Sequence, residues 1–266
     1  MSGRFYFGTN LKMYKTASET SAYLAELAAL TRDLAGEPLV RFVIPSFTSL
    51  AAAGASAHGN VLLGAQNMHW EECGQFTGEV SPRMLRDLGC ISIVEIGHSE
   101  RRHVFGETDT QCNQKVLSAL ANGFTAPLCV GETAEEKHYG VSDETLARQI
   151  KIGLFGVDPK LLEAGRVWLA YEPVWAIGVN GIPASAEYAQ ERMHRMRETV
   201  EALYPGLSGS VPLLFGGSVN PENAGGYAAQ PDVDGLFVGR AAWTAPTFNA
   251  LVRQVLPIWK KRCGAL

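Results

Sequence analysis

The sequence lacks the features that mark secreted, membrane-spanning and disulfide-bonded chains. Only five of its 266 residues are cysteine, an odd number, and no two of them have Cys-x-x-Cys spacing. This pattern favours free thiols in a reducing compartment over a disulfide framework or a zinc site. The first residues contain no signal-peptide core, and no apolar run is long enough to span a bilayer. We therefore expect a cytoplasmic protein with no membrane partner.

The chain also lacks an excess of positive charge. It has 23 Lys and Arg against 27 Asp and Glu, a formal net charge of −4. Such a charge does not favour binding to nucleic acid, although a local basic pocket for a small anion is compatible with it. No His-x-His pair or carboxylate cluster suggests a metal site. No G-x-G-x-x-G motif follows the first strand, as a dinucleotide site would require. We expect no nucleic-acid partner, no metal and no cofactor.

What the sequence does contain is a regular alternation of strand and helix patterns. Eight short apolar segments predict strands over 4–9, 39–45, 60–66, 90–97, 124–131, 167–173, 211–217 and 234–240. Most are nearly continuously apolar, as in strands covered on both faces. Helical patterns lie between them, at 18–30, 108–122, 143–155, 186–203 and 246–260. The alternation predicts an α/β fold, best a single (β/α)8 barrel over residues 1–266, with a doubly wound open sheet as the alternative.

Polar residues and glycines follow several of the predicted strands. They are Asn10 and Lys12 after the first strand, His98 and Glu100 after the fourth, Glu172 after the sixth, and Gly216, Gly217, Ser218 and Gly239 after the last two. In a barrel these positions share one face, where active sites lie. Each has a structural explanation when taken alone, such as a hydrogen-bonded histidine or a turn. Together they predict a base, an imidazole, a cation and a glycine-lined pocket on one face.

The motifs that contain these residues resemble those of the triosephosphate isomerase family. They are "GTNLKM", "IGHSERR", "LCVGET", "AYEPVWAIG" and "LFGGSVNP", and they occur in order along essentially the whole chain. The resemblance implies a TIM barrel that acts as a homodimer. It also implies a cofactor-independent isomerase that interconverts glyceraldehyde 3-phosphate and dihydroxyacetone phosphate, in glycolysis and gluconeogenesis, through an enediolate.

The resemblance further implies roles for individual residues. Glu172 would be the base that moves a proton between adjacent carbons. His98, as a neutral imidazole, would polarise the carbonyl and move protons between oxygens. Lys12 would supply positive charge to the substrate anion and Asn10 a hydrogen-bond donor. Glu100 would be the active-site carboxylate beside His98.

Three further groups of residues match the family in the same way. The phosphate-binding positions are Gly178, Ser218 and Gly239, followed by Arg240. The lid comprises Pro173, Val174, Trp175, Ala176, Ile177, Gly178, Val179, Asn180 and Gly181. "GQFTGE", with Phe76 and Thr77, matches the loop that enters the neighbouring subunit. Arg101, Glu107 and Cys129 match supporting positions, and ion pairs of Arg101 and Arg102 are expected to hold the loop after the fourth strand.

The sequence also departs from the common family pattern. The lid is one residue longer and contains Pro183, Leu11 replaces a common tryptophan, and Arg240 replaces the second of two glycines. That arginine would either contact the phosphate or point away from it. "QNMHW", "NGIPAS" and "GRAAW" resemble a branch that acts on tetrulose phosphates. Triose phosphate is thus the first expected substrate and L-erythrulose 1-phosphate the alternative. A phosphoribosyl isomerase and a non-catalytic phosphosugar-binding barrel are weaker alternatives, since Lys12, His98 and Glu172 are all retained.

Overall fold

Eight short strands form the centre of the structure, a computed structural model that describes residues 3–178 and 181–264. The strands are β1 (Phe5–Asn10), β2 (Leu39–Ile44), β3 (Val61–Ala65), β4 (Ile91–Val94), β5 (Ala126–Val130), β6 (Val167–Tyr171), β7 (Leu213–Phe215) and β8 (Gly235–Phe237). Seven of the eight lie within the segments predicted from the sequence, and β1 extends one residue beyond its segment, to Asn10. The other seven predicted segments are longer than the strands.

Helices follow the strands around the outside. The α-helices are α1 (Ala17–Leu30), α2 (Leu50–Ala55), α3 (Pro82–Asp87), α4 (Ser99–His103), α5 (Asp109–Ala121), α6 (Ala134–His138), α7 (Ser142–Gly153), α8 (Pro159–Glu163), α9 (Ala186–Leu203), α10 (Ala224–Ala228) and α11 (Ala245–Arg262). Five short 3-10 helices cover Arg32–Gly36, Phe47–Ser49, Val174–Ala176, Ser208–Ser210 and Arg240–Ala242. No helix within the described ranges is long and apolar enough to cross a membrane.

The sheet is parallel and wraps around into a barrel. Its strand order is β4-β3-β2-β1-β8-β7-β6-β5, so each strand lies beside its neighbours in sequence and β1 pairs with both β2 and β8. The seam between β4 and β5 is bridged by the parallel pairs Ile93–Thr125 and Ile96–Leu128. This arrangement confirms the (β/α)8 barrel and rules out the doubly wound sheet, whose strand order reverses at a switch point.

Alternate residues of the strands build two apolar layers, because successive side chains in a strand point to opposite faces. The smaller layer, which includes Phe42, Ile93, Trp168 and Phe237, fills the inside of the barrel. The larger layer lies between the strands and the helices. Gly8 is required inside, because a Cβ there would lie 2.4 Å from the Phe42 ring. The barrel is therefore solid below its mouth, and ligands have access only at its ends.

Candidate active site

The carboxyl ends of the strands surround a cavity of about 810 Å³. Its lining includes all five residues that the sequence suggested for catalysis, namely Asn10, Lys12, His98, Glu100 and Glu172. It also includes the four suggested for phosphate binding, namely Gly178, Ser218, Gly239 and Arg240. Residues from five different strand ends thus meet in one place, as the barrel topology predicted.

His98 stands at the start of the short helix α4. It is the N-cap residue, and its Nδ1 accepts the backbone N–H of Glu100 over 3.1 Å. An Nδ1 that accepts a hydrogen bond carries no proton, so the ring is neutral with its proton on Nε2. That Nε2 lies 3.5 Å from Oε1 of Glu172. The imidazole is thus arranged to donate from Nε2 into the site.

Glu172 follows β6 and is only 3% exposed. Its Oε2 accepts the backbone N–H of Ser99, in the first turn of α4, over 2.9 Å. Two glycines allow its close packing. A Cβ at Gly131 would lie 1.8 Å from the Glu172 carbonyl oxygen, and one at Gly216 would lie 3.1 Å from its Cγ. The carboxylate is therefore almost shielded from solvent and held by a directed donor, which suits a base.

Lys12 reaches the site from a strained backbone. Its φ of 50° lies in the left-handed region, which non-glycine residues rarely adopt. Hydrogen bonds hold this conformation, since its N–H donates to Asn10 Oδ1 over 2.7 Å and Gln66 donates to its carbonyl over 2.9 Å. The Lys12 ammonium lies 2.7 Å from Glu100, a carboxylate that is half exposed. A cation is thus held at the mouth of the cavity by a partner that solvent can reach.

Glu95 is a site residue that the sequence reasoning missed. It follows β4, is completely buried, and accepts a hydrogen bond from Asn10 Nδ2 at 2.5 Å. One carboxylate oxygen each of Glu95 and Glu172 and one ring nitrogen of His98 all lie within 4.8 Å of one another. This corrects the expectation that the chain has no cluster of carboxylates. The available signal was a lone acidic residue inside an apolar run, "ISIVEIG", where an unpaired charge would be costly.

The opposite side of the cavity is lined by backbone rather than by carboxylates. Gly217, Ser218 and Gly239 lie there, and Gly239 precedes the 3-10 helix Arg240–Ala242. Backbone N–H groups at such turns can approach an anion closely. The Arg240 side chain is exposed, and among residues 3–178 and 181–264 no carboxylate pairs with it. This side of the cavity therefore has the character of an anion site.

The lid begins with the 3-10 helix Val174–Ala176, and both Val174 and Trp175 attach it to Glu132, which follows β5. The indole N–H of Trp175 donates to Glu132 Oε1 over 2.8 Å. The buried Glu132 also accepts the hydroxyls of Tyr171 and Tyr188. The ammonium of Lys137 lies 3.3 Å from the Trp175 ring centre. Gly178 and Gly181 reach the cavity, whereas the predicted lid residues Val179 and Asn180 lie outside the described residues.

Ion pairs hold the loop that carries His98, as expected. Arg101 pairs with Glu107 at 3.1 Å, and Arg102 pairs with Asp109 at 2.6 Å. Arg102 also donates to the carbonyl of Cys129, on β5. These contacts account for the two guanidinium groups of "HSERR" as structural supports outside the cavity.

The predicted dimer loop lies away from the cavity of its own chain. Phe76 and Thr77 are exposed, and the Phe76 ring lies 4.0 Å from the ring of His69, centre to centre. Both rings line a second cavity of about 440 Å³ beside α3. His69 belongs to "NMHW", so one of the departures noted in the sequence forms part of this surface.

The fold and cavity together are those of a barrel enzyme with acid–base groups at its carboxyl end. Residues 5–255 match the family model described as triosephosphate isomerase, and the chain belongs to this family of isomerases. It is similar to proteins named L-erythrulose-1-phosphate isomerase from Rhizobium etli and Rhizobium meliloti. The first is 47% identical over 94% of this chain and 92% of that protein. The second is 43% identical over 94% and 96%. A triosephosphate isomerase from Moorella thermoacetica is 43% identical over 91% and 95%.

Proposed function

We propose that the protein isomerises L-erythrulose 1-phosphate, using Glu172 as the base. The observation that carries this proposal is the position of Glu172 Oε1, 3.5 Å from His98 Nε2 in one cavity. A carboxylate and a neutral imidazole side by side suit proton transfer at carbon and at oxygen in a single substrate. The names of the two Rhizobium relatives support the choice of a tetrulose phosphate.

The reaction moves a carbonyl by one carbon. Glu172 takes the proton from C3 of L-erythrulose 1-phosphate, which leaves an enediolate across C2 and C3. The His98 Nε2–H donates to the developing oxyanion, and the proton passes between the two oxygens. Glu172 then returns its proton to C2, and the carbonyl ends at C3, giving an erythrulose 4-phosphate. Each proton removed is returned, so substrate and product are isomers.

Charge in the site stabilises the enediolate. The Lys12 ammonium faces the cavity and is held by Glu100 at 2.7 Å. Asn10 has two amide protons, one of which is donated to Glu95. No acceptor within the described ranges takes the second proton, which is therefore available to a substrate oxygen. Fixed donors in a site that excludes water stabilise a developing oxyanion more strongly than water does.

The phosphate binds on the glycine-rich side. Gly178, Ser218 and Gly239 supply the backbone of this site, and the exposed guanidinium of Arg240 adds charge at its edge. Closure of the lid over the phosphate keeps water from the enediolate, which would otherwise lose its phosphate. The lid residues Pro173 to Gly181 serve this purpose, with Trp175 and Glu132 as their attachment.

Triose phosphate is the second candidate substrate, and the Moorella relative favours it. The two substrates differ only at the reacting carbon, where the tetrulose has a hydroxymethyl group in place of a hydrogen. One carbon changes discrimination by about 1–3 kcal/mol. The cavity of about 810 Å³ lies within the usual range of small-molecule sites.

The test is a side-by-side measurement of kcat/KM for L-erythrulose 1-phosphate and glyceraldehyde 3-phosphate on one preparation, with Glu172→Gln as the blank. We expect the tetrulose to be preferred by about tenfold or more. The opposite preference would make triose phosphate the substrate. Activity no higher than the blank on either substrate would leave only a phosphosugar-binding barrel.

We further propose a homodimer in the cytoplasm. The exposed Phe76 and the almost fully exposed Met13 supply apolar surface for a second copy, and the exposed Thr77 lies next to Phe76 in the chain. All five cysteines are free, which agrees with a reducing compartment. Light scattering should give twice the monomer mass, and Phe76→Asp should shift it toward the monomer. A monomeric wild-type protein would contradict the proposal.

A further inference from the structure

Glu95 is a buried carboxyl at the floor of the site that the proposed mechanism leaves unused. No part of it is exposed, so it touches the cavity only through other residues. Asn10 Nδ2 donates to its Oε2 at 2.5 Å, and the Cys129 thiol lies 3.7 Å from its Oε1. Asn10 is fixed at its other end as well, since its Oδ1 accepts from Lys12 and Gln66. Glu95 therefore completes the hydrogen bonding that orients the Asn10 amide.

Negative charge is crowded around this carboxyl. The groups that face it are Glu172 after β6, Lys12 after β1, His98 and Glu100 at the start of α4, and Cys129 on β5. His98 is neutral by its hydrogen bonding, and Lys12, the cation that faces Glu95 in the described part of the chain, already pairs with Glu100 at 2.7 Å. Two carboxylates in one buried site without a cation of their own do not both ionise.

The hydrogen bonds indicate which of the two carboxyls holds the proton. Glu172 accepts the Ser99 backbone N–H and faces the Nε2–H of His98, and both favour its ionised form. Among the described residues, Glu95 accepts hydrogen bonds only from a neutral amide and a thiol, and it is the more deeply buried. The proton therefore lies on Glu95.

We propose that Glu95 is a positioning residue of the isomerase, an uncharged carboxylic acid that holds the Asn10 amide and keeps a second negative charge away from the Glu172 base. The inference rests on the proposed function, in which Glu172 removes the proton. In agreement, burial and the neighbouring Glu172 raise the pKa of Glu95 well above its ordinary value, against the opposing effect of Lys12. Once ionised, Glu95 would repel the enediolate and the base alike.

Glu95→Gln is the main test, because a glutamine amide has the shape of the neutral acid and still accepts from Asn10. We expect kcat/KM at neutral pH to stay within about threefold of wild type. The wild-type kcat/KM should fall on the alkaline side as Glu95 ionises, and this decline should move to higher pH in the variant. An infrared spectrum should show the carbonyl band of a protonated carboxyl in the wild type that the variant lacks.

The pH dependence of the free energy of unfolding is an independent test of whether Glu95 is protonated. An acid whose pKa is raised by folding contributes stability that is present at low pH and is lost as the pH rises through the folded-state pKa. Glu95→Gln should therefore be more stable than wild type at neutral pH, and the difference should vanish at acid pH. Glu95→Leu removes the partner of Asn10 and should lower kcat/KM about tenfold.

Asp234→Asn is the matched control, since Asp234 is a buried carboxyl at the opposite end of the barrel, where it pairs with Arg197. It should change stability and leave the pH profile of kcat/KM as it is. The inference is overturned if folded Glu95→Gln loses a hundredfold or more at neutral pH, or if its pH profile matches that of wild type. Failure of the proposed function is a separate result, in which wild type is no more active than Glu172→Gln.

Discussion

The Ser99 backbone N–H donates to Glu172 Oε2 over 2.9 Å, so the proposed base is hydrogen-bonded to the first turn of α4, the helix that His98 caps. Two loops that are far apart in sequence are thereby joined at the reacting groups. The position of the carboxylate depends on this contact and on the glycines packed against it.

Shortening the base by one methylene tests its position. Glu172→Asp should lower kcat by about 10²-fold, because the carboxylate withdraws by roughly 1 Å from the reacting carbons. KM should change little, since Glu172 does not hold the phosphate. Glu135→Asp, at an exposed position on α6, is the control and should leave kcat and KM unchanged. An unchanged kcat in Glu172→Asp would refute the assignment of the base.

Removing the cation at the mouth of the cavity tests electrostatic stabilisation. Lys12→Met should lower kcat/KM by about 10²-fold or more, because the developing oxyanion loses the ammonium that Glu100 holds in the cavity. The free Glu100 carboxylate should add to the loss. Lys15→Met, on the same loop, makes the same change in net charge and should retain most of the activity. Equal effects of the two variants would argue against a catalytic role of Lys12.

The role of Arg240 is tested by its effect on binding of the phosphate. Arg240→Ala should raise KM for a phosphosugar, and the inhibition constant of inorganic phosphate, about tenfold, with a smaller effect on kcat. Added salt should shrink the difference, since an exposed charge is screened. Arg32→Ala, at an exposed position outside the cavity, is the control. An unaltered phosphate constant would mean that the guanidinium points away from the ligand.

The buried ion pair beneath the His98 loop predicts sensitivity to acid. Burial raises the pKa of Glu107, but its hydrogen bonds and ion pairs with Lys115 and Arg101 outweigh it and hold the pKa below its ordinary value. The stabilisation is therefore complete above the unfolded-state pKa of about 4 and is lost as the pH falls through the folded-state value. Unfolding midpoints measured between neutral and acid pH should show this loss.

Glu107→Gln is the variant for that measurement. It should lower the free energy of unfolding at neutral pH by about 3 kcal/mol, since Lys115 is left buried at 4% exposure without its partner. Its unfolding midpoint should depend less on pH in the acid range than that of wild type. A variant with the acid sensitivity of wild type would place the responsible carboxyl elsewhere.

The sequence by itself determined the strands, the longer helices and the order of the catalytic motifs. Continuous apolar segments such as 167–173 indicate strands that are buried on both faces. The apolar pattern can be recognised from neighbouring residues alone, without knowledge of the fold. Lys12, His98 and Glu172 could be named because each follows such a segment and the topology brings strand ends together. The roles of Arg101 and Arg102 as supports were likewise foreseen from their charge and position.

Only the tertiary structure decided which side chains contact one another in the site. In the sequence, Glu95 is one acid in an apolar run, and nothing local shows that Asn10 and Glu172 lie against it. The same holds for Glu132, which holds Trp175 only because the 3-10 helix Val174–Ala176 lies beside the residues that follow β5. Contacts of this kind depend on side-chain directions and distances of a few ångströms between distant segments. Periodicity and composition do not carry that information, because they are averages along the chain.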